Sequence, residues 1–247
     1  MTKRERPPQK EGREGKSAHK PLASDGGAPM PVLHRGQAFA VVDKPAGIAV
    51  EGDGDCVVRR LSRELGPPGG RAFPRVVHRL ESGTSGCLAI ALNEKARAAL
   101  EKGFEDGKID KEYLALVRGN PPDIGSFDTP YGPDPRDRRR FTTKLQTPRR
   151  ARLSFVVVER FALPAALVRV QLETGRTHQI RVQFGEAGYP VLGDPTYGDL
   201  EPVDPEALPR PALHAAKLSM PSPDDGALIT CEAPLPPDLL ARLAKLR

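Results

Sequence analysis

Residues 83–104 run from a glycine-rich turn through an unbroken apolar stretch into a capped helix, an order that leaves few folds open. Gly83-Thr84-Ser85-Gly86 is turn chemistry. Residues 87–92, Cys-Leu-Ala-Ile-Ala-Leu, are apolar at every position and predict a buried strand. Asn93 follows as an N-cap, and Ala96, Leu100 and Phe104 recur at helical spacing, so a helix to about Phe104 is expected. Immediately before the turn, His78-Arg79-Leu80-Glu81 sets one carboxylate between an arginine and the glycines.

The same patterns place the other elements. Phe39-Ala40-Val41-Val42 reads as a short strand and Lys44-Pro45-Ala46-Gly47 as a turn. Residues 57–65 read as a helix ended by the Gly/Pro run at 66–70. Residues 111–117 predict a strand with Tyr113, Ala115 and Val117 on one side. Residues 152–160 and 166–172 predict consecutive strands joined at Leu163-Pro164. Thr177 is the expected cap of a helix to about Glu186. Short strands at 213–220 and 227–232 and a closing helix at 236–246 complete the reading. Strands and helices mix without regular βαβ alternation, which predicts an α+β fold built on a mainly antiparallel mixed sheet with flanking helices. No internal repeat is present.

Residues 1–30 carry almost nothing apolar and hold seven Lys/Arg against four acids. Such a segment buries too little surface to offset its ordering entropy, so a disordered basic tail is expected there, with one folded domain over 31–247. The 247 residues, 26.8 kDa, net charge of +6 and pI near 9.3 suit one large domain with a polyanionic partner. The three cysteines are scattered and form no CxxC pair, which argues against a zinc knuckle or a disulfide framework. No apolar run reaches the roughly 18 residues that span a membrane. No secretory h-region is seen, so the cytoplasm is the expected compartment.

Two further stretches carry chemistry. Residues 135–152 hold eight Lys/Arg, among them Arg138, Arg139 and Arg140, against Asp137 alone. Arginine forks suit phosphate oxygens, and clustering concentrates the potential; a solvated charged loop is the plainer reading. Glu173-Thr174-Gly175-Arg176-Thr177-His178-Gln179-Ile180-Arg181 follows an apolar strand and opens a helix. A helix start binds anions through its N–H groups, and Arg181, one turn in, suits pairing with a buried carboxylate. A capped helix with surface arginines is the alternative.

Taken together, these motifs resemble the RluA-type pseudouridine synthases. The resemblance is carried by His78-Arg79-Leu80-Glu81 with Thr84-Ser85-Gly86, Lys111-Glu112-Tyr113 and residues 175–181. Lys44-Pro45-Ala46-Gly47, Gly193-Asp194-Pro195-Thr196-Tyr197-Gly198 and Leu213-His214-Ala215 add to it. It runs from about Leu33 to the C-terminus and leaves no room for the small RNA-binding domain that some members carry ahead of the catalytic one. It implies isomerisation of uridine to pseudouridine in ribosomal or transfer RNA by a monomer with no metal or organic cofactor and no membrane partner. Glu81 would be the nucleophile or ribose-directed base, Tyr113 would stack on the flipped uracil, and Arg181 would hold the carboxylate. Arg79, Arg176, Thr177, His178, Gln179 and Arg138 to Arg140 would contact RNA.

Two positions depart from the family pattern: Gln183 stands where His is frequent, and Glu81 stands where the family has aspartate. The extra methylene moves the carboxylate by about 1.5 Å if the backbone stays put, and a misplacement of about 1 Å costs roughly a hundredfold in rate. An active enzyme with an adjusted pocket and a catalytically impaired RNA-binding relative therefore both remain open. A metal-dependent hydrolase using His78, Glu81 and His178 is the reading from another class, and it lacks an HExxH motif.

Overall fold

The structure is a computed structural model that describes residues 29–65, 74–198 and 208–247. The expected tail, up to residue 28, and the Gly/Pro run at 66–70 lie outside the described residues. In chain order the elements are β1 (Val32–Arg35), β2 (Phe39–Lys44), α1 (Val57–Glu64), β3 (Arg75–Val76), β4 (Ser85–Ala91), α2 (Glu94–Glu105), β5 (Asp110–Arg118) and β6 (Ile124–Pro130). There follow β7 (Gly132–Pro133), β8 (Phe141–Thr142), β9 (Arg150–Arg160), β10 (Ala165–Leu172), α3 (Gln179–Glu186), β11 (Leu213–Pro221), β12 (Leu228–Glu232) and α4 (Pro237–Leu246).

The apolar run forms β4, in which all seven residues are buried. It lies inside a ten-stranded sheet of order β1-β2-β4-β11-β5-β10-β9-β6, with β12 paired to β11 and β3 to β4. Between the named strands the pairing is antiparallel except for β4 with β11, where Ser85 and Gly86 lie opposite His214 and Ala215. Gly86 makes that pairing possible. Its φ is +110°, and a Cβ there would stand 2.2 Å from the Ala215 carbonyl oxygen.

Alternation along β2 and β4 supplies two cores, one on each face of the sheet. Phe39, Val41, Cys87 and Ala89 pack with Ala96 and Leu100 of α2. Ala40, Val42, Leu88 and Ile90 pack on the other face with Val57 and Leu61 of α1 and residues of α4. The α2 cap is as expected, with the Asn93 side chain accepting the Ala96 N–H at 2.8 Å. All three cysteines are free and buried.

Three local features differ from the sequence reading. The helix at Gln179 is capped at His178, not Thr177, and no side chain supplies the cap; Thr177 contributes its carbonyl to the Tyr131 hydroxyl instead, at 2.6 Å. The basic stretch 135–152 is not one loop, because Phe141–Thr142 pairs with Gly132–Pro133 and residues from Arg150 onward belong to β9. Strands β1, β3, β6, β7 and β8 are additional: each is very short or presents a half-exposed face, so none has an apolar period to read. No helix among the described residues is long and apolar enough to cross a membrane.

Candidate active site

Glu81 sits in the turn between β3 and β4, and the turn is fixed from several sides. The Thr84 N–H closes it on the Glu81 carbonyl at 3.0 Å. The Ser82 carbonyl accepts from the Gly47 N–H at 2.8 Å and from Lys44 Nζ at 3.2 Å. The ammonium of Lys44 is fully buried and also donates to the carbonyls of Pro45 and Ile48, each at 2.8 Å. Burial, then the nearby Arg210, lowers its pKa to about 8. Arg210 donates to the Gly83 carbonyl at 3.1 Å while Asp238 holds it with both oxygens at 2.7 and 2.9 Å.

The histidine of the first motif serves this frame. His78 Nε2 accepts the Ala89 N–H at 2.9 Å, and its ring lies 4.5 Å from that of Phe104. Burial, then Lys111, pushes its pKa down to about 3, so it stays neutral. Its ring is thus committed to β4 and α2. Among the described residues no three His, Cys, Asp or Glu side chains gather as a metal site would require.

Arg181 reaches Glu81 from the first turn of α3. Its Nη1 donates to Glu81 Oε2, while Nε and Nη2 clamp Asp194 at 2.7 and 2.6 Å. The Asp194 side chain is completely buried and also accepts from the N–H groups of Thr196 and Tyr197. Burial opposes the charge on Arg181, but Asp194 and Glu81 outweigh it and raise its pKa further. Burial likewise opposes the charge on Asp194, and Arg181 outweighs it and holds the carboxyl below its usual range. A bidentate guanidinium of this kind is rigid.

His178 Nε2 lies 3.8 Å from the same Glu81 oxygen, Oε2. Among the described residues, Oε1 of Glu81 meets no protein partner. Tyr113, on β5, is 8% exposed, and its phenol is raised above its usual pKa by burial, then by Glu81 and Cys87. The phenol is therefore protonated at neutral pH. The site thus offers one carboxyl group with one oxygen held and the other open, beside a neutral phenol. That combination suits attack at, or proton removal from, an electron-poor carbon.

The remaining residues from the sequence reading fall into three settings. Arg79, Arg138, Arg139 and Arg140 are exposed. Of these, Arg139 engages Asp137 at 3.1 Å, and Arg140 lies 5.1 Å from the Tyr197 ring. Arg176 is half-buried and donates to the Arg150 carbonyl at 3.2 Å, whereas the Thr177 residue is exposed. Gln179 is buried: its oxygen accepts from Thr174 Oγ1 and the Arg176 N–H, and its nitrogen donates to the Arg152 carbonyl and Gln183. Asp194 and Tyr197 are site residues to which the sequence reading gave no role. Their signal was the Gly193–Gly198 motif, which marks the pair without revealing that it faces Arg181.

Comparisons with known proteins point to one family. The family model described as RNA pseudouridylate synthase matches residues 38–186. Ribosomal large subunit pseudouridine synthase D of Nitrosomonas europaea is 37% identical over 229 residues, covering 89% of this chain and 66% of that protein. An uncharacterized RNA pseudouridine synthase of Chloroflexus aurantiacus is 42% identical over 179 residues, covering 72% of this chain and 55% of that protein. One of Bacillus subtilis is 35% identical over 226 residues, covering 88% and 73%. The chain thus spans between about half and three quarters of the length of these relatives. The solved structure of human RNA pseudouridylate synthase domain containing 1 superposes with a TM-score of 0.71 at 26% identity, covering 90% of this chain and 96% of that one. The chain belongs to the RNA pseudouridylate synthase family, and within it to the RluA-type synthases.

Proposed function

We propose that this protein isomerises uridine to pseudouridine in ribosomal RNA, with Glu81 as the attacking carboxylate and residues 31–247 as its catalytic domain. The observation that carries the reading is the clamp on Glu81: Arg181, itself immobilised by Asp194, binds one carboxylate oxygen and leaves the other open. The longer side chain still meets that arginine. Ribosomal RNA is favoured by the name of the Nitrosomonas relative, and a protein acting on that substrate would work in the cytoplasm.

The reaction breaks the bond from N1 of uracil to C1′ of ribose and forms one from C5 to C1′. N1 gains a proton and C5 loses one, so no proton is consumed overall. The target nucleotide must first leave its stack, at a cost of a few kcal/mol. Glu81 Oε1 then faces the ribose and stabilises or captures the electron-poor C1′ as the glycosidic bond breaks. Once C5 is attached, the freed carboxylate is the base that accepts its proton. Tyr113, protonated and buried, packs on the uracil as a neutral surface and hydrogen-bond donor. Arg79 and Arg176, with Arg138 to Arg140 on the basic loop, contact phosphates, and Thr177 and His178 line the entrance. Gln179 acts by bracing the 174–176 turn against β9.

The test is a map of pseudouridine in total RNA from a strain lacking the gene and from its parent. One site missing in the deletion strain, restored by the native gene and not by Glu81→Ala, is the expected outcome. Identical maps in both strains would exclude the assignment.

A further inference from the structure

Tyr197 has no part in that reaction, yet it joins the carboxylate's surroundings to the basic loop. Its hydroxyl accepts the Phe141 N–H at 2.9 Å and lies 2.8 Å from His178 Nδ1. Its ring lies 5.2 Å from the Arg181 guanidinium and 5.1 Å from that of Arg140, within cation–π range of both.

The direction of the protons follows from what each atom can do. The Phe141 N–H only donates, so it uses a lone pair of the tyrosine oxygen. Among the described residues the one acceptor that the tyrosine hydroxyl meets is His178 Nδ1, and we assign the hydroxyl proton to that bond. The neutral imidazole then carries its proton on Nε2, the nitrogen 3.8 Å from Glu81 Oε2. His178 is also the one non-glycine residue among those described with a positive φ, at 59°. Such a conformation costs of order 1–3 kcal/mol and persists only where the surroundings enforce it. Bonds to Tyr131 and Gln179 set the backbone of the turn, while the Tyr197 hydroxyl and the edge-on Phe141 and Tyr197 rings, at 5.8 and 5.5 Å, hold the imidazole.

We propose that Tyr197 is a positioning residue for the nucleophile, holding His178 with its Nε2–H turned to Glu81 so that Oε2 stays on the protein side and Oε1 faces the ribose. The inference rests on Glu81 being the attacking carboxylate. Because Phe141 and Arg140 close the basic loop onto the same ring, the group that orients the carboxylate also touches the surface that would meet RNA.

The test is steady-state kinetics of the full chain on a ribosomal RNA fragment, comparing native protein with Tyr197→Phe, His178→Asn and the double variant; asparagine tolerates the left-handed backbone. Tyr197→Phe is expected to lower kcat about tenfold, the worth of one well-placed hydrogen bond, with KM within about twofold. The charged groups facing the imidazole are Glu81, Arg181 and Asp194, and all are retained in Tyr197→Phe. Loss of the bond that favours the neutral ring moves the acid limb of kcat to higher pH. The double variant is expected to be no slower than the slower single one, because both act through one contact. Multiplying effects, or an unchanged kcat and acid limb in Tyr197→Phe, would overturn the inference. If the native protein forms no pseudouridine, the functional reading fails. Nitrogen-15 spectra of His178 then decide: an Nε2–H tautomer lost in Tyr197→Phe supports the positioning role, and the same tautomer in both refutes it.

Discussion

Three single residues bear most of the weight around Glu81, each by different physics. Gly86 needs both a left-handed φ and a bare Cα against the Ala215 carbonyl. Gly86→Ala is expected to destabilise the fold by about 3 kcal/mol or more, through backbone strain added to overlap, read as a lower urea midpoint. His78 is neutral in the fold, with a pKa near 3 against the usual 6.5. A base whose folded pKa is depressed contributes stability fully above the unfolded pKa, and that stability is lost as pH falls from about 6.5 toward 3. His78→Gln keeps an acceptor for the Ala89 N–H and removes the titration, so its stability is expected to vary less between pH 6.5 and 5; an unchanged slope would refute this. Asp194 is the buried half of the arginine clamp, and Asp194→Asn is expected to cost about 3 kcal/mol, as breaking one partner of a buried pair does. A thermal melt together with RNA turnover checks it, since Glu81 loses its fixed partner. At this scale the sequence was most legible where chemistry is local. Glu81, Tyr113 and Arg181 stand out by residue type and motif, whereas the meeting of Arg181 with Asp194 and of His178 with Tyr197 depends on a loop that closes only in three dimensions.

Among the elements, those with a clear apolar period were readable from the chain: β4, α2, β5, β9, β10 and α4 follow the expected limits within about two residues. The elements that escaped lie at edges. β6 is the last strand of the sheet and reads Ile-Gly-Ser-Phe-Asp-Thr-Pro; its half-buried side carries Gly125, Phe127 and Thr129 while Ile124 is 75% exposed, so the alternation has no apolar period to read. The cap of α3 was misplaced by one residue because the hydroxyl at Thr177 looks like a cap, while tertiary bonds from Tyr131 and Gln179 set the turn. The tip of the basic stretch presents Arg138 and Arg139 to solvent. If it meets phosphates, replacing both with Gln is expected to weaken binding of ribosomal RNA and to reduce the slope of log affinity against log salt by about 2. Filter binding across a salt series measures this, and a parallel line would remove those arginines from the RNA surface.

At the scale of the whole molecule, the parallel contact of β4 with β11 fixes the β3–β4 turn in the middle of the sheet, and β10 then delivers the chain to α3 opposite it. Two residues 100 positions apart, Glu81 and Arg181, meet because of that topology. The α+β class and the mainly antiparallel sheet follow from the order of apolar runs, but the strand order does not, since it is decided by long-range pairing. In the proposed function, this frame lets Glu81 act as the attacking carboxylate. The direct measurement is pseudouridine formed on large-subunit ribosomal RNA by purified native protein, Glu81→Asp and Glu81→Gln under single-turnover conditions. Pseudouridine from the native protein, slower formation by Glu81→Asp and none above background by Glu81→Gln is the predicted result. A native rate retained by Glu81→Gln, or activity that arises only in Glu81→Asp, would contradict it.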